Sequence, residues 1–340
     1  MRICLCTPFY PTLGGVTTFS AVVAREWVIA GHDVTLITDV ECDPRVLQTL
    51  SFPCVSRRQT VAVYRAAMRC DVFVQNNVSV RALWPLLGGL GKYVVIHHGY
   101  YHSSAEAPRL LEGLKLSIAR RLAFNTFVSE AVRDHVGTYG PVMANPYDDS
   151  RFRLLGHDRD IDVAFVGRLV SQKGATVLID ALAEMHRNGM RPTVAIVGDG
   201  PERRVLEEQV KGLRLSQTVN FLGRRSHDEL PHILNRTKIM AVPSLVQEGL
   251  PIAVLEGIAC GCVVVGSIAG GLPEAIGPCG EVFPMGDPKT CARILTEMLE
   301  RPQALEGYRS QALRHIDRNR SQAVARNYIQ YFNALLDGAS

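Results

Sequence analysis

Val163-Ala-Phe-Val-Gly-Arg-Leu-Val-Ser-Gln-Lys-Gly174 reads as a short apolar strand that runs out into a loop bearing two cations. The same kind of run recurs at Val194–Gly198, Val219–Leu222, Ile239–Pro243 and Val263–Gly266, with helical stretches between. An earlier series precedes it: Arg2–Thr7, Val34–Thr38, Val72–Gln75, Tyr93–His97 and Thr126–Ser129. A Pro/Gly loop (Pro8–Gly15) leads from the first run into a helical stretch from about Val16 to Ala30, closed by Gly31. Strand–helix–strand repetition implies right-handed crossovers and parallel sheets. The expected fold class is therefore α/β, with two doubly wound, Rossmann-like lobes facing a central cleft. Between the series, Asn145–Asp162 carries a Pro, a Gly and several Asp and reads as a linker. The domains expected are residues 1–150, residues 151–320, and a last helix in 321–340 that follows no strand and crosses back.

Composition narrows the function classes. Of 340 residues, 47% are hydrophobic and 21% charged, an ordinary globular balance. A net charge of +4 is too weak for a nucleic-acid binder. No apolar run is long enough to span a bilayer, and Met1–Tyr10 lacks a signal-like core, so a cytoplasmic setting is expected. The nine cysteines include no C-x-x-C; Cys4 and Cys6 alternate along a strand, and Cys260 and Cys262 flank Gly261. Reduced, mostly buried thiols are expected rather than disulfides or metal ligands.

Ligands of doubly wound sheets bind beyond the strand C-termini, so the loops there are where chemistry is sought. Arg168 and Lys173 lie between Gly167 and Gly174 just past a strand; a guanidinium fork and a point charge suit one diphosphate. Glu248-Gly-Leu-Pro-Ile-Ala-Val-Leu-Glu256 follows another strand. Pro251 suits the first position of a helix, which places Glu248 in the loop and Glu256 in the second turn among apolar neighbours. Amides at a helix start favour phosphate, while carboxylates favour neutral hydroxyls. Gly14-Gly15 lets backbone approach a ligand closely. His97 and His98 end a strand of the first lobe; either one facing the cleft would meet a substrate hydroxyl.

Two patterns point elsewhere and are set aside. Gly198-Asp-Gly200-Pro201-Glu202-Arg203 starts like a dinucleotide fingerprint, but Arg203 replaces the third Gly and no acid stands near Asn220. Asp158, Asp160 and Asp162 make D-x-D strings in the linker and read as solvated charge, so no metal site is expected. The amphipathic basic stretch Arg109–Phe124, with Lys115, Arg120 and Arg121, reads first as a surface helix with an apolar core stripe; contact with anionic lipid is the second reading.

The set in its order resembles the retaining glycosyltransferases of family 4, which have the GT-B architecture. It comprises Gly14-Gly15, His98-Gly99, Ser129-Glu130, Asn145-Pro-Tyr-Asp148, Phe165–Gly174, Ile196–Pro201, Phe221–Gly223, Pro243-Ser244, Glu248–Gly257, Ala259–Val264 and Gly270–Glu274. The likeness covers nearly the whole chain and is densest from residue 145 to 285. It implies that Arg168 and Lys173 hold a donor diphosphate, helped by Gly167 and by the backbone of Gly249, Leu250, Pro251 and Ile252. It further implies Glu256 on ribose hydroxyls, Glu248 on the transferred sugar, Arg224 beside the base, Gly15 near the diphosphate and His98 at the reaction centre. Two departures stand out: Leu250-Pro251 where the family often has glycine, and Asn145-Pro146-Tyr147 in place of Asn-Gly-Val.

The resemblance implies a retaining, metal-independent transfer of sugar from a nucleoside-diphosphate-sugar to a hydroxyl of a saccharide or lipid-linked acceptor, in a setting such as cell-surface polysaccharide synthesis. No cofactor beyond that co-substrate is implied, and peripheral contact with the inner membrane face accompanies a lipid-linked acceptor. A nucleotide-sugar epimerase and a non-catalytic sugar-nucleotide sensor are the alternatives.

Overall fold

Arg2–Thr7 forms β1 and lies between two parallel neighbours, Asp33–Thr38 (β2) and Val72–Asn76 (β4). The structure, a computed structural model, describes residues 1–7, 14–40, 50–79, 91–101 and 109–338, with side chains described from residue 113 onward in the last stretch. Cys54–Ser56 (β3), Lys92–His97 (β5) and Phe124–Phe127 (β6) complete a parallel sheet in the order β3-β2-β1-β4-β5-β6. Winding runs outward in one direction from β1 and in the other from β4. That reversal is the switch point, where the loops part and leave a crevice.

The second sheet repeats this plan. Ile161–Val166 (β7), Val194–Val197 (β8), Val219–Gly223 (β9), Thr237–Val242 (β10), Val263–Ser267 (β11) and Gly280–Phe283 (β12) pair in parallel in the order β12-β11-β10-β7-β8-β9. Its switch point lies between β7 and β10. The architecture is thus α/β with two Rossmann-like lobes, as the alternation of apolar runs and helical stretches predicts.

The edge strands β3 and β12 were not anticipated, since a three- or four-residue segment such as Cys-Val-Ser leaves too short a pattern to read. The strand expected at Thr126–Ser129 is β6, displaced toward Phe124, because Ser129 has another task. Its hydroxyl accepts from the Val132 amide at 3.3 Å and caps the helix Glu130–Val136, which Gly137 closes in the left-handed region at φ 65°.

The chain divides into Met1–Tyr147 with Arg318–Ser340, and Asp148–Asp317. In the first unit, the helix Gly15–Ile29 buries Phe19, Val22, Val23 and Trp27. The last helix, Ser321–Leu336, packs against it: Trp27 Nε1 donates to the Ala325 carbonyl at 3.1 Å, and Tyr328 and Phe332 lie edge-on to the indole. Tyr147, beyond the Pro of Asn145-Pro-Tyr, is held here too, its amide donating to the Asn319 carbonyl at 3.0 Å. On the other sheet face Cys4, Cys6, Phe73 and Val95 meet Val63 and Ala67 of the helix Thr60–Arg69, and Ile118 and Ala119 of the helix Arg109–Leu122. The latter helix therefore has the core stripe of its first reading, while Leu114 and Leu122 are exposed and Arg120 donates to the Val136 carbonyl at 2.9 Å. In the second unit, the helices Ala175–Arg187 and Pro288–Glu300 cover Val163, Phe165, Ile196 and Val265. The described cysteines are all free thiols and all but Cys54 are buried.

Candidate functional site

At the second unit's switch point three loops are tied together. The loop leaving β7 turns at Gly174 (φ 66°), whose α-carbon lies so near the Pro243 carbonyl that any side chain would collide with it. The Leu245 amide donates to the Gln172 carbonyl at 2.9 Å, joining the β7 and β10 loops. At the end of β11, Ser267 Oγ donates to the Ser244 carbonyl at 2.7 Å, and beyond it the Gly271 amide donates to the Glu248 carbonyl at 2.8 Å.

These ties converge on Glu248. Its Oε1 accepts from Lys173 Nζ at 2.6 Å and from Ser244 Oγ at 2.7 Å. Its Oε2 has no partner among the described residues and remains able to accept from a ligand hydroxyl. Lys173 gives one of its three donors to this bond and keeps two. Arg168 is exposed, and its guanidinium has no partner among the described residues. One free fork, one half-engaged ammonium and one half-engaged carboxylate thus stand within a single loop cluster. Gly167 sits where its chain passes closest to the β8 loop, its amide donating to the Val197 carbonyl at 3.0 Å.

Pro251 proves to be the N-cap of the helix Ile252–Ala259 rather than its first residue. Having no N–H, it gives a ligand no backbone donor, and its carbonyl accepts from the Val254 amide at 3.1 Å, so the amides of that run come from Gly249, Leu250 and Ile252. Leu250 and Ile252 bury their side chains, so this stretch can meet a ligand only through its main chain. Glu256, one turn on, is only 5% exposed. Loss of hydration, with the Asp148 charge adding to it, pushes its carboxyl up to about 8, so it is largely protonated at neutral pH.

Arg224 is exposed and follows Gly223, which takes φ 68° at the end of β9. The set-aside patterns find structural duties. A side chain at Gly198 would strike the Gly167 carbonyl, and one at Gly200 the Leu169 main chain, so these glycines serve loop-to-loop contact. Asp160 pairs with Arg236, and Asp162 with Lys238 at 2.7 Å, which engages two of the three D-x-D carboxylates.

In the first unit most of the loop between β1 and the helix Gly15–Ile29, residues 8–13, lies outside the described residues. Gly15 opens the following helix, and a side chain there would meet nothing within 4 Å, so the packing of the described residues does not require glycine. The two histidines at the end of β5 differ sharply. His97 is fully buried, stacked on Phe127 and bonded at both nitrogens, to Tyr101 Oη at 2.6 Å and to Asn125 Oδ1 at 2.8 Å. His98 is half-buried, and its Nε2 lies 2.8 Å from Asn76 Oδ1. Burial, reinforced by His97, lowers its pKa to about 3 against a side-chain hydrogen bond with Asn145 that favours the charged form, so the ring is neutral. The pair thus separates into a core residue and a residue at the switch point.

Sequence reasoning missed Ser244, Asn76, Asn77 and Ser20. Pro243-Ser244 was visible only as part of a motif, with no sign that its hydroxyl would hold Glu248. Asn77 adopts φ 56°, uncommon for a residue other than glycine, and its side chain accepts from the His98 amide at 2.8 Å.

The family model described as "Glycosyl transferases group 1" matches residues 147–315, the extent of the second unit almost to the residue. The second unit belongs to the group 1 glycosyl transferases. Proteins similar to the chain carry names of different activities. One is the 2-deoxystreptamine N-acetyl-D-glucosaminyltransferase of Streptomyces fradiae, 32% identical over 166 residues, 47% of this chain and 38% of that protein. Another is the GDP-mannose-dependent alpha-(1-6)-phosphatidylinositol monomannoside mannosyltransferase of Mycolicibacterium smegmatis, 32% identical over 205 residues, 52% of this chain and 53% of that protein. The matches span about a third to a half of the first curated relatives' length. Among solved structures, Anabaena HepE in complex with UDP superposes with a TM-score of 0.83 at 20% identity, covering 98% of this chain and all of that one. Sucrose-phosphate synthase of Thermosynechococcus elongatus gives 0.78 at 18%, covering 99% of each. The fold shared with these proteins is GT-B.

Proposed function

We propose that the chain is a glycosyltransferase of family 4 that moves a sugar from a nucleoside-diphosphate-sugar to a hydroxyl of a saccharide or lipid-linked acceptor, with retention of configuration and without metal. The observation that carries the reading is the bond between Lys173 and Glu248 across the loops that leave β7 and β10, with Arg168 on the same β7 loop and Glu256 buried on the helix that follows Glu248. The cations would stabilise charge growing on the departing diphosphate, an electrostatic task that bound divalent metal performs elsewhere. Glu248 Oε2 would accept from a hydroxyl of the transferred sugar, and Glu256 would meet the ribose. The acceptor hydroxyl would attack on the face the diphosphate leaves, with a phosphate oxygen taking its proton. His98 would meet a hydroxyl of the sugar or acceptor, and Gly15 would admit the loop that precedes the helix Gly15–Ile29.

No helix among the described residues is long and apolar enough to cross a membrane. Action at the inner membrane face, in polysaccharide synthesis, would involve peripheral contact, for which exposed Leu114 and Leu122 beside Arg121 offer support.

The bases of first interest are uracil, from the UDP and UDP-glucose complexes of HepE, and guanine, from the GDP-mannose-dependent relative. The test is a thermal-shift panel of UDP, GDP, ADP and dTDP, with and without magnesium, repeated on Arg168→Ala. One nucleotide raising Tm without metal, and losing that effect in the variant, is expected. No shift with any nucleotide overturns the donor site; turnover that inverts or epimerises the sugar overturns retaining transfer.

A further inference from the structure

The first unit's switch point holds a polar chain that the residue roles above do not use. Thr7 at the end of β1, Ser20 on the helix Gly15–Ile29 and Asn76 at the end of β4 are all buried, at 0%, 0% and 1% exposure. Ser20 Oγ lies 2.7 Å from the Val16 carbonyl and 3.0 Å from Thr7 Oγ1, and Asn76 Nδ2 donates to it at 2.8 Å. A hydroxyl has one proton, and here it is directed at Val16, so towards Asn76 the serine turns lone pairs. The amide must then present NH2 to Ser20 and Oδ1 to His98. An oxygen facing Nε2 at 2.8 Å requires that nitrogen to carry the proton. The ring plane is set independently: Phe19 stands edge-on with centroids 4.6 Å apart, and Asn77 Oδ1 clamps the His98 amide at 2.8 Å.

We propose that Asn76, oriented by Ser20, is a positioning residue that fixes His98 as the Nε2–H tautomer, so that the ring offers a hydrogen-bond acceptor at Nδ1 to a hydroxyl of the bound sugar or acceptor. The role at the sugar rests on the transferase reading; the tautomer does not. A buried amide aimed at a histidine serves no packing purpose that an apolar side chain would not serve as well, and each member costs desolvation unless satisfied. The Asn145 side chain also bonds this ring, so a ligand hydroxyl competes with it; a neutral His98 then receives a proton-bearing hydroxyl and supplies no proton to the leaving group.

The test is long-range proton–nitrogen NMR on the full chain labelled at its ten histidines, with His98 assigned by difference against His98→Gln. The wild type is expected to show a pyrrole-like Nε2 and a pyridine-like Nδ1. Asn76→Ala should mix the tautomers and slow nucleoside-diphosphate release from the donor sugar by about tenfold, the scale of one lost hydrogen bond. Ser20→Ala should give part of the same change, and decides the matter together with the wild-type spectrum if Asn76→Ala does not fold. Asn76→Asp, which keeps the acceptor and adds charge, should hold the proton on Nε2 and move the ring's titration upward. A wild-type ring protonated at Nδ1, or variants with unchanged tautomer and rate, overturns the proposal. A tautomer that follows Asn76 in a chain that cleaves no nucleotide sugar overturns the transferase reading and leaves the positioning assignment standing.

Discussion

Lys173 Nζ lies 2.6 Å from Glu248 Oε1, so the residue expected to hold diphosphate and the residue expected to hold sugar are bonded to each other. The side chains are 31% and 13% exposed, between a surface pair and a buried one. Lys173→Ala leaves the carboxylate with Ser244 alone and should lower unfolding free energy by about 1–2 kcal/mol. Adding Glu248→Gln should recover most of that loss in urea unfolding without restoring nucleotide affinity. A single variant as stable as wild type would show the pair to be energetically idle.

Arg168 separates binding from stability. Its guanidinium is exposed and unpartnered among the described residues, so Arg168→Ala should change stability by no more than about 0.5 kcal/mol. Turnover should fall by about 10²-fold or more, as when one preorganised donor to a developing anion is removed. Steady-state rates and urea midpoints on one preparation give both numbers.

Glu256 makes the stability depend on pH in a known direction. Its carboxyl rises from 4.5 in the unfolded chain to about 8 when folded, so between those values the folded state holds a proton that the unfolded state has lost. Its contribution is full below pH 4.5 and is lost as pH rises through 8. Glu256→Gln should match the wild type near pH 5 and exceed it near pH 8.5 by about 1–3 kcal/mol, the cost of a poorly satisfied buried polar group. A wild type whose Tm does not fall across that range relative to the variant would refute the assignment.

Gly174 should be intolerant of alanine. It takes φ 66° and would drive a β-carbon into the Pro243 carbonyl. Gly174→Ala should destabilise the second unit by about 2 kcal/mol or more, since strain and collision add. Gly15→Ala, with open space at its β-carbon, should leave Tm within about 1 °C. If Gly15 serves the diphosphate, the cost of that change appears in nucleotide affinity alone.

Much of this molecule was legible in its order of residues. Buried parallel strands must be apolar and crossover helices must separate them, so the alternation from Arg2 to Ser267 specified two doubly wound sheets. The loops holding Arg168, Lys173 and Glu248 could be placed for the same reason, because ligands gather past strand C-termini. Edge strands β3 and β12 escaped, since so few residues carry no period.

What only the tertiary structure decided was partnership. Lys173 and Glu248 are separated by 75 residues, and His98 and Asn76 by 22, and no local propensity links either pair. His97 and His98 are the same side chain in adjacent positions, yet one is locked between Tyr101 and Asn125 while the other looks onto the switch point. Successive residues at the end of a strand face opposite ways, and what each meets is set by elements far away in sequence. Sequence alone therefore determined which residue types stand at the ends of the strands. Packing determined which of them are bonded, which are neutral and which remain free to meet a ligand, because hydration and distance belong to the folded chain.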